Sequence, residues 1–565
     1  MKEGQLGIVV EENVDVPMRD GVLLRANVFR PEGSGKYPGL LLRTPYGKPV
    51  GGMERYVRAG YVVVAQDSRG RYASEGEYVP FTEEETGDAE DGYDTVEWLA
   101  AQPYCNGRVG TFGASYNAWM QWQLAKLRPP HLVAMCAYTI PLELTEVDWP
   151  GAFKPGRRIK WWRTTMAPDL RRREGAPKPH TPAEALSLWD EIEQGYWLGL
   201  MPWKEIARHL PEHLAYYVES WLEEPNRRPW KFDEIHAEVE VPNLDFSGWY
   251  DHCNGTMAHL GLMQKNGRTD VAKKSQLIVG PWNHPGLGKR KIGDIDFGPQ
   301  AELDLPAHII HWFDHWLKEL DNGVAEAPSV RYFCMGGAGA WRSGSTWPPE
   351  DLVQQVYHLH SGGDALRADG GGYLHERAAI GKEPPDLYSY DPHDPVPTLW
   401  TSDLFTVPAD RRKLECRGDI LYYQTAPLER EIEVVGYPEL ILYAASSAPD
   451  TDFFARLVDE DPQGQALEIC YGMVRARHRN SLDKEELLTP GEVVEYRIKL
   501  GATACRFAKG HRIRLEITSS DFPNHDRNHN VGRNDLEDVE MRMAEQRVLH
   551  EGGFASRLVL PVDEG

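Results

Sequence analysis

Arg108-Val109-Gly110-Thr111-Phe112-Gly113-Ala114-Ser115-Tyr116-Asn117-Ala118-Trp119-Met120 is the stretch that decides how the rest of the chain is read. A short apolar run stops at Gly113, a sharp turn passes through Ser115, and a helical pattern starts at Tyr116. A serine on such a strand-to-helix turn stands clear of the sheet, and the next backbone N–H can face a developing oxyanion. The turn admits little bulk, and Gly113 and Ala114 meet that demand. Asn117 stands where G-x-S-x-G has its second glycine, so the motif is half matched. Taken alone, G-A-S fits equally well an ordinary junction with a serine near a helix N-cap.

Outward from Ser115, the first 143 residues alternate strand and helix. Val14 to Met18 and Val22 to Phe29 flank Arg19-Asp20-Gly21, a hairpin signal. Pro38 to Tyr46, Tyr61 to Asp67 and Val109 to Gly113 are continuous apolar runs, as expected of strands buried on both faces. Thr86 to Ala101 has helical spacing. The alternation predicts an α/β domain whose chemistry lies at the carboxyl ends of the strands. Residues 144–240 change texture: they are rich in Trp, Pro, Arg and Glu, and helical over Pro182–Gln194 and Trp203–Leu210. They read as an inserted helical lid. The α/β pattern resumes with Val241–Asp251 and Gln276–His284, followed by a helix over Pro306–Leu320. Beyond about 325 come short alternating runs such as Val330–Phe333 and Glu439–Tyr443, the pattern of a β-sandwich. The predicted division is 1–143 with 241–325 for the catalytic domain, 144–240 for the cap and 326–565 for the sandwich.

Composition narrows the function classes. The 565 residues are too many for one core, and 41% apolar with 10% aromatic content indicates packed domains without disorder. A net charge of −24 disfavours nucleic acid and anionic membranes as partners. Seven scattered cysteines without a C-x-x-C pair argue against a disulfide framework or a zinc site. Met1–Leu6 shows no leader pattern and no apolar run reaches the ~18 residues of a membrane span, so a cytoplasmic protein is expected.

A serine nucleophile needs a base, and the base needs an orienting carboxylate. Ser115, Asp251 and His284 stand in the order Ser-Asp-His, each at or beyond the end of a buried run. Each alone has an ordinary reading, Asp251 as a helix cap and His284 as one of 20 histidines; the order and placement together predict a triad.

The phrases Gly113-Ala114-Ser115-Tyr116, Gly248-Trp249-Tyr250-Asp251 and Gly280-Pro281-Trp282-Asn283-His284 resemble the cocaine esterase (CocE/NonD) family of serine hydrolases. That family includes X-Pro dipeptidyl peptidases, α-amino acid ester hydrolases and glutaryl acylases. Arg43-Thr44-Pro45-Tyr46, Gln66-Asp67-Ser68-Arg69-Gly70 and Ser520-Asp521-Phe522-Pro523 carry the likeness further, from about residue 8 to 560. The resemblance implies an α/β-hydrolase core with an inserted helical cap and a C-terminal β jelly roll. It implies Ser115 as nucleophile, His284 as base, Asp251 as orienting acid, and an oxyanion hole made by the Tyr46 hydroxyl and the Tyr116 backbone N–H. The family's small residue falls one place beyond Asn117, at Ala118.

The α-amino acid ester hydrolases place carboxylates just after the catalytic aspartate. Here those positions are His252, Cys253 and Asn254, which favours a neutral acyl group, aromatic ones included. The expectation is a carboxylesterase acting on a small-molecule ester or amide, alone or as a homodimer, with no cofactor. Amide or peptide hydrolysis of the X-Pro dipeptidyl-peptidase type stands second, and a non-catalytic carbohydrate-binding jelly-roll protein is the reading from a different class. Trp149, Trp161, Trp162, Trp249 and His252 are the candidates for the substrate pocket. His308, His311 and His315 share a helix face but read as packing residues, and Asn524 to Asn530 as a jelly-roll loop near the hydrolase domain; no metal is expected. Asp67 and Arg69 are expected to pair across the loop after their strand.

Overall fold

The structure, a computed structural model, describes residues 7–81, 87–223, 232, 234–399, 404–405 and 407–564. Met1–Leu6 and Thr86, which enter the sequence expectations, lie outside them. Among the described residues no helix is long and apolar enough to cross a membrane.

The hairpin at Asp20-Gly21 forms as expected, from β1 (Ile8–Pro17) and β2 (Leu23–Pro31), with Pro17 opposite Leu23. The apolar runs become β3 (Tyr37–Thr44), β4 (Val62–Asp67), β5 (Cys105–Ala114) and β6 (Leu132–Tyr138), giving a sheet of order β1-β2-β4-β3-β5-β6. β3 to β6 run parallel. Both faces are covered, which is why the runs are continuously apolar. Val62 and Val64 pack on the side of the helices Asp88–Ala100 and Tyr116–Ala125, while Val63 and Ala65 face Trp312 and Phe313 of the helix Leu305–Lys318. That last helix lies close against β5: a Cβ on Gly110 would come within 2.5 Å of the Phe313 ring.

β7 (Leu244–Gly248) and β8 (Gln276–Gly280) continue the sheet in parallel beyond β6. The seam between β6 and β7 is made by Asn243, whose side chain accepts from the Ala137 N–H at 2.7 Å and donates to the Ala137 carbonyl at 2.9 Å. Val330–Phe333, read from sequence as sandwich, instead forms β9 (Val330–Cys334), parallel to β8, with β10 (Ala340–Gly344) antiparallel on its outer side. The catalytic sheet therefore runs past residue 326. A short alternating strand in an α/β sheet has the same sequence signature as a sandwich strand, so the pattern alone could not separate the two.

From Val353 the chain forms a C-terminal β-rich domain, a 13-stranded and mostly antiparallel sheet system. The inserted segment after β6 has helices and connecting turns but no strand among its described residues, with Trp203–His209 wound as a 3₁₀ rather than an α-helix between Pro202 and Pro211. The loop at 523–526 docks chiefly on this cap. The Pro523 carbonyl accepts from Gly156 N–H at 3.1 Å and Asp526 Oδ1 from Lys154 N–H at 2.6 Å. The buried Arg475 guanidinium clamps the joint, bonding Asp526, Asp452 and the Ala152 carbonyl at 3.0–3.1 Å. Asp67 and Arg69 do not pair: Asp67 holds Lys48 at 2.6 Å, and Arg69 bonds Asp91 at 2.6 Å and Asp20 at 2.8 Å. Successive side chains in extended chain point to opposite sides, but i and i+2 here are separated by the turn at Ser68-Arg69.

Asn243→Ala leaves the Ala137 N–H and C=O buried without partners, and should destabilise the catalytic domain by roughly 2–4 kcal/mol. Urea unfolding followed by tryptophan fluorescence checks this; an unchanged midpoint would show that the seam holds without Asn243.

Candidate active site

Ser115 connects β5 to the helix Tyr116–Ala125 at φ 58°, ψ −124°, a backbone conformation a serine rarely adopts. Its N–H donates to the Tyr138 carbonyl at 3.0 Å, and its carbonyl accepts from Ala118 N–H at 2.8 Å and Trp119 N–H at 3.0 Å. Gly113 has φ 144°, and a Cβ there would meet Asn117 Cβ at 2.7 Å, so glycine is required two residues before the serine. Gln121 ties the helix back to the strand, donating to the Gly113 carbonyl at 3.1 Å and accepting from the Thr111 hydroxyl at 2.9 Å. Asn117 therefore replaces the motif's second glycine without obstructing the turn. Tyr116 is the first helical residue, so its N–H has no acceptor within the helix. Its side chain is buried elsewhere, with the hydroxyl accepting from Phe81 N–H at 3.0 Å.

The turns after β7 and β8 are laced together: Trp249 N–H donates to the Gly280 carbonyl and Tyr250 N–H to the Trp282 carbonyl, each at 3.0 Å. Gly248 permits that approach, since a Cβ there would lie 2.1 Å from the Trp282 carbonyl oxygen. The lacing brings Asp251 and His284 together, with His284 Nδ1 at 3.0 and 3.1 Å from the two Asp251 oxygens. Cys253 N–H donates to Asp251 Oδ1 at 2.8 Å. With Nδ1–H donating to Asp251, the basic nitrogen of a neutral His284 is Nε2.

Ser115, His284 and Tyr46 line one cavity of about 390 Å³, roofed by the cap. Tyr46 shares this wall with Ser115 and Trp161, and burial pushes its ionisation up to about 12. It is therefore a neutral O–H donor at any ordinary pH. His252 is held neutral, its ionisation driven well below the usual value first by burial and then by the charge of Arg157. Burial also raises the Cys253 thiol well above its usual range.

The structure divides the five residues expected to form the substrate pocket. Trp161 and His252 line the Ser115 cavity. Trp149 and Trp249 line a second chamber of about 520 Å³, which shares His252 and Arg157 with the first. Trp162 lines neither: it is fully buried within the cap, edge-on to Trp221 at 4.6 Å. Trp161 and Trp162 are successive residues of one π-helical segment, Trp161–Met166, so they leave it in different directions, and only Trp161 lines the site. Sequence reasoning missed Phe405, stacked 5.8 Å from His284, and Phe81, Arg157 and Arg158 in the same wall. The arginines had a faint signal, a basic cluster at Arg157-Arg158-Ile159-Lys160 within an acidic chain. Phe405 had none, because only the tertiary fold carries it back to the catalytic domain.

Asp251, His252, Cys253 and His284 place four ligand-type atoms within 4.8 Å of one another. Asp251 and His284 are already bonded to each other and the Cys253 thiol is held protonated, which suits acid–base work better than a resident cation. His308 and His315 each bond a separate backbone carbonyl, those of Asp304 and Leu320.

Comparison with known proteins places the whole chain. Residues 20–286 match the X-Pro dipeptidyl-peptidase (S15 family) profile, and residues 322–559 match the X-Pro dipeptidyl-peptidase C-terminal non-catalytic domain. The chain is 35% identical to the cocaine esterase of Rhodococcus sp. (strain MB1 Bresler), over 98% of each chain. Two solved structures superpose on its whole length, covering 98% of their own. They are an aminopeptidase from a marine-sediment Thaumarchaeota archaeon (TM-score 0.81, 23% identity) and an α-amino acid ester hydrolase (TM-score 0.80, 22% identity). The fold is that of an α/β-hydrolase with a C-terminal β-rich domain, and the chain is a serine hydrolase. It belongs to the cocaine esterase (CocE/NonD) family.

Gly113→Ala combines an unfavourable φ with the clash on Asn117, and should lower the reactivity of Ser115 toward a fluorophosphonate at least about tenfold while far-UV circular dichroism stays unchanged. Labelling at the wild-type rate would mean the elbow does not need its glycine.

Proposed function

We propose that the chain is a carboxylesterase in which Ser115, His284 and Asp251 form the catalytic triad and Tyr46 with the Tyr116 N–H forms the oxyanion hole. His284 Nε2 takes the proton of Ser115 Oγ as the oxygen attacks the ester carbonyl. The tetrahedral oxyanion is held by two donors, the Tyr46 hydroxyl and the Tyr116 amide. His284 returns the proton to the departing alcohol oxygen, leaving an acyl-enzyme. Water, deprotonated by His284, then attacks the acyl carbon, and the acid leaves as Ser115 regains its proton. Asp251 keeps the imidazole in the required tautomer and stabilises the transient imidazolium.

The observation that carries the substrate reading is the cavity wall. The described residues around Ser115 include two arginines and aromatic and aliphatic side chains, but no carboxylate. An ammonium-bearing acyl group would find no counter-ion there, so a neutral acyl group, aromatic ones included, is favoured, resting against Trp161 and Phe81. The same feature disfavours a free peptide N-terminus and places amide or dipeptide hydrolysis second.

Ser115→Ala should abolish hydrolysis of p-nitrophenyl butyrate and of phenyl benzoate, together with fluorophosphonate labelling; retained turnover would overturn the reading. Faster turnover of a Gly-Pro-anilide than of either ester would overturn the ester preference. Tyr46→Phe removes one oxyanion donor and should lower kcat by about 10²–10³. Because Tyr46 ionises only at about 12, its donor is intact below that value and is lost only as pH rises through it. The wild-type rate should therefore show no loss from this group up to about pH 10, and a pH–rate profile with Tyr46→Phe as reference checks it.

A further inference from the structure

Arg157 has no part in the acyl-transfer steps, yet it lines both the Ser115 cavity and the second chamber. It is 7 % exposed, and among the described residues its side chain makes one hydrogen bond, to the Val147 carbonyl at 2.7 Å. Its Nε is buried without an acceptor. Its neighbour Arg158 is different, ion-paired with Asp148 and lying 4.1 Å over the Trp161 ring. Burial lowers the Arg157 guanidinium to about 10, outweighing the opposing charge of Asp148, which is ion-paired with Arg158, and it remains protonated at neutral pH. A buried cation without a paired carboxylate is costly to a fold. A planar fork of N–H donors turned on a cavity is the group that matches a carboxylate.

The proton of His284 goes to the alcohol oxygen of the substrate, so the alcohol portion leaves on the His284 side of the cavity. His284 stands ring to ring with His252 at 4.6 Å, and His252 borders both chambers beside Arg157. We propose that Arg157 binds a carboxylate carried on the alcohol portion of the ester, which departs past His252 into the second chamber. The proposal rests on the triad reading above. His252, neutral, does not compete for the anion, and Arg158 is already paired. The second chamber is also lined by Glu143, Glu146, Asp251 and Glu468, with Lys499; Asp251 is bonded to His284 and Glu468 is ion-paired with Arg456 and Arg411.

Two butyryl esters with matched phenols test this: 4-carboxyphenyl butyrate and its neutral isostere 4-carbamoylphenyl butyrate. The wild type should turn over the anionic ester with about tenfold higher kcat/KM, carried by KM. The preference should vanish in Arg157→Gln and survive in part in Arg157→Lys. Equal kcat/KM for the pair, or a preference indifferent to Arg157→Gln, overturns the proposal. A preference seen instead between 4-nitrophenyl hemiglutarate and its methyl ester overturns the placement on the alcohol side. Should Arg157→Gln fail to fold, inhibition of the wild type by 4-hydroxybenzoate against 4-hydroxybenzamide decides, with about tenfold tighter binding of the anion expected and equal inhibition contradicting. Failure of the triad reading is distinguishable, because neither ester would then be hydrolysed and Ser115 would not label.

Discussion

The backbone of Ser115 is held where a serine does not rest by itself. A residue at φ 58°, ψ −124° carries strain of about 1–3 kcal/mol, and it persists only because the surroundings over-determine it. On the strand side, β5 is fixed between β3 and β6, and Tyr138 binds the Ser115 N–H. On the helix side, Ala118 and Trp119 bind its carbonyl, and Gln121 anchors the first turn to Gly113. Buried aromatic side chains, Trp119 and Trp122 among them, close the helix onto the sheet. The reward is positional: the hydroxyl stands beside Tyr46, and the Tyr116 N–H is left without a helical partner.

The rest of the molecule completes that point from a distance. The lacing of the turns after β7 and β8 delivers Asp251 and His284 as a bonded pair. The cap contributes Arg157, Arg158 and Trp161, and its position is set by the C-terminal domain through Arg475, Asp526 and Pro523. Phe405 comes from the C-terminal part of the chain and stacks against His284. An overall charge of −24 thus surrounds a catalytic cavity whose described walls are free of carboxylates and carry two guanidinium groups. The field of the surface says little about the ligand; the charges inside the cavity say more.

Much of this was legible in the residues. Buried strands announce themselves as continuous apolar runs, and the positions just past them hold Ser115, Asp251 and His284. Gly113 could be recognised because only glycine fits so close to Asn117. Less was legible where one pattern serves two structures. Val330–Cys334 alternates like a sandwich strand but closes the catalytic sheet, and Trp161 and Trp162 are adjacent identical residues that the helix turns to different fates. Phe405 and the loop at 523–526 acquire meaning only through contacts across hundreds of residues, for which local periodicity carries no signal. Arg157 stood in plain view as one of several cap arginines; that its Nε is buried without an acceptor is a property of the packed interior.

The account's central claim is that the strained serine itself becomes acylated. Rapid quenching of the enzyme in acid during turnover of p-nitrophenyl butyrate, followed by peptide mass spectrometry, tests it directly. The account predicts a butyryl adduct on the peptide containing Ser115, transient in wild type. Turnover with no adduct on that peptide, or with the acyl group on another residue, would contradict it.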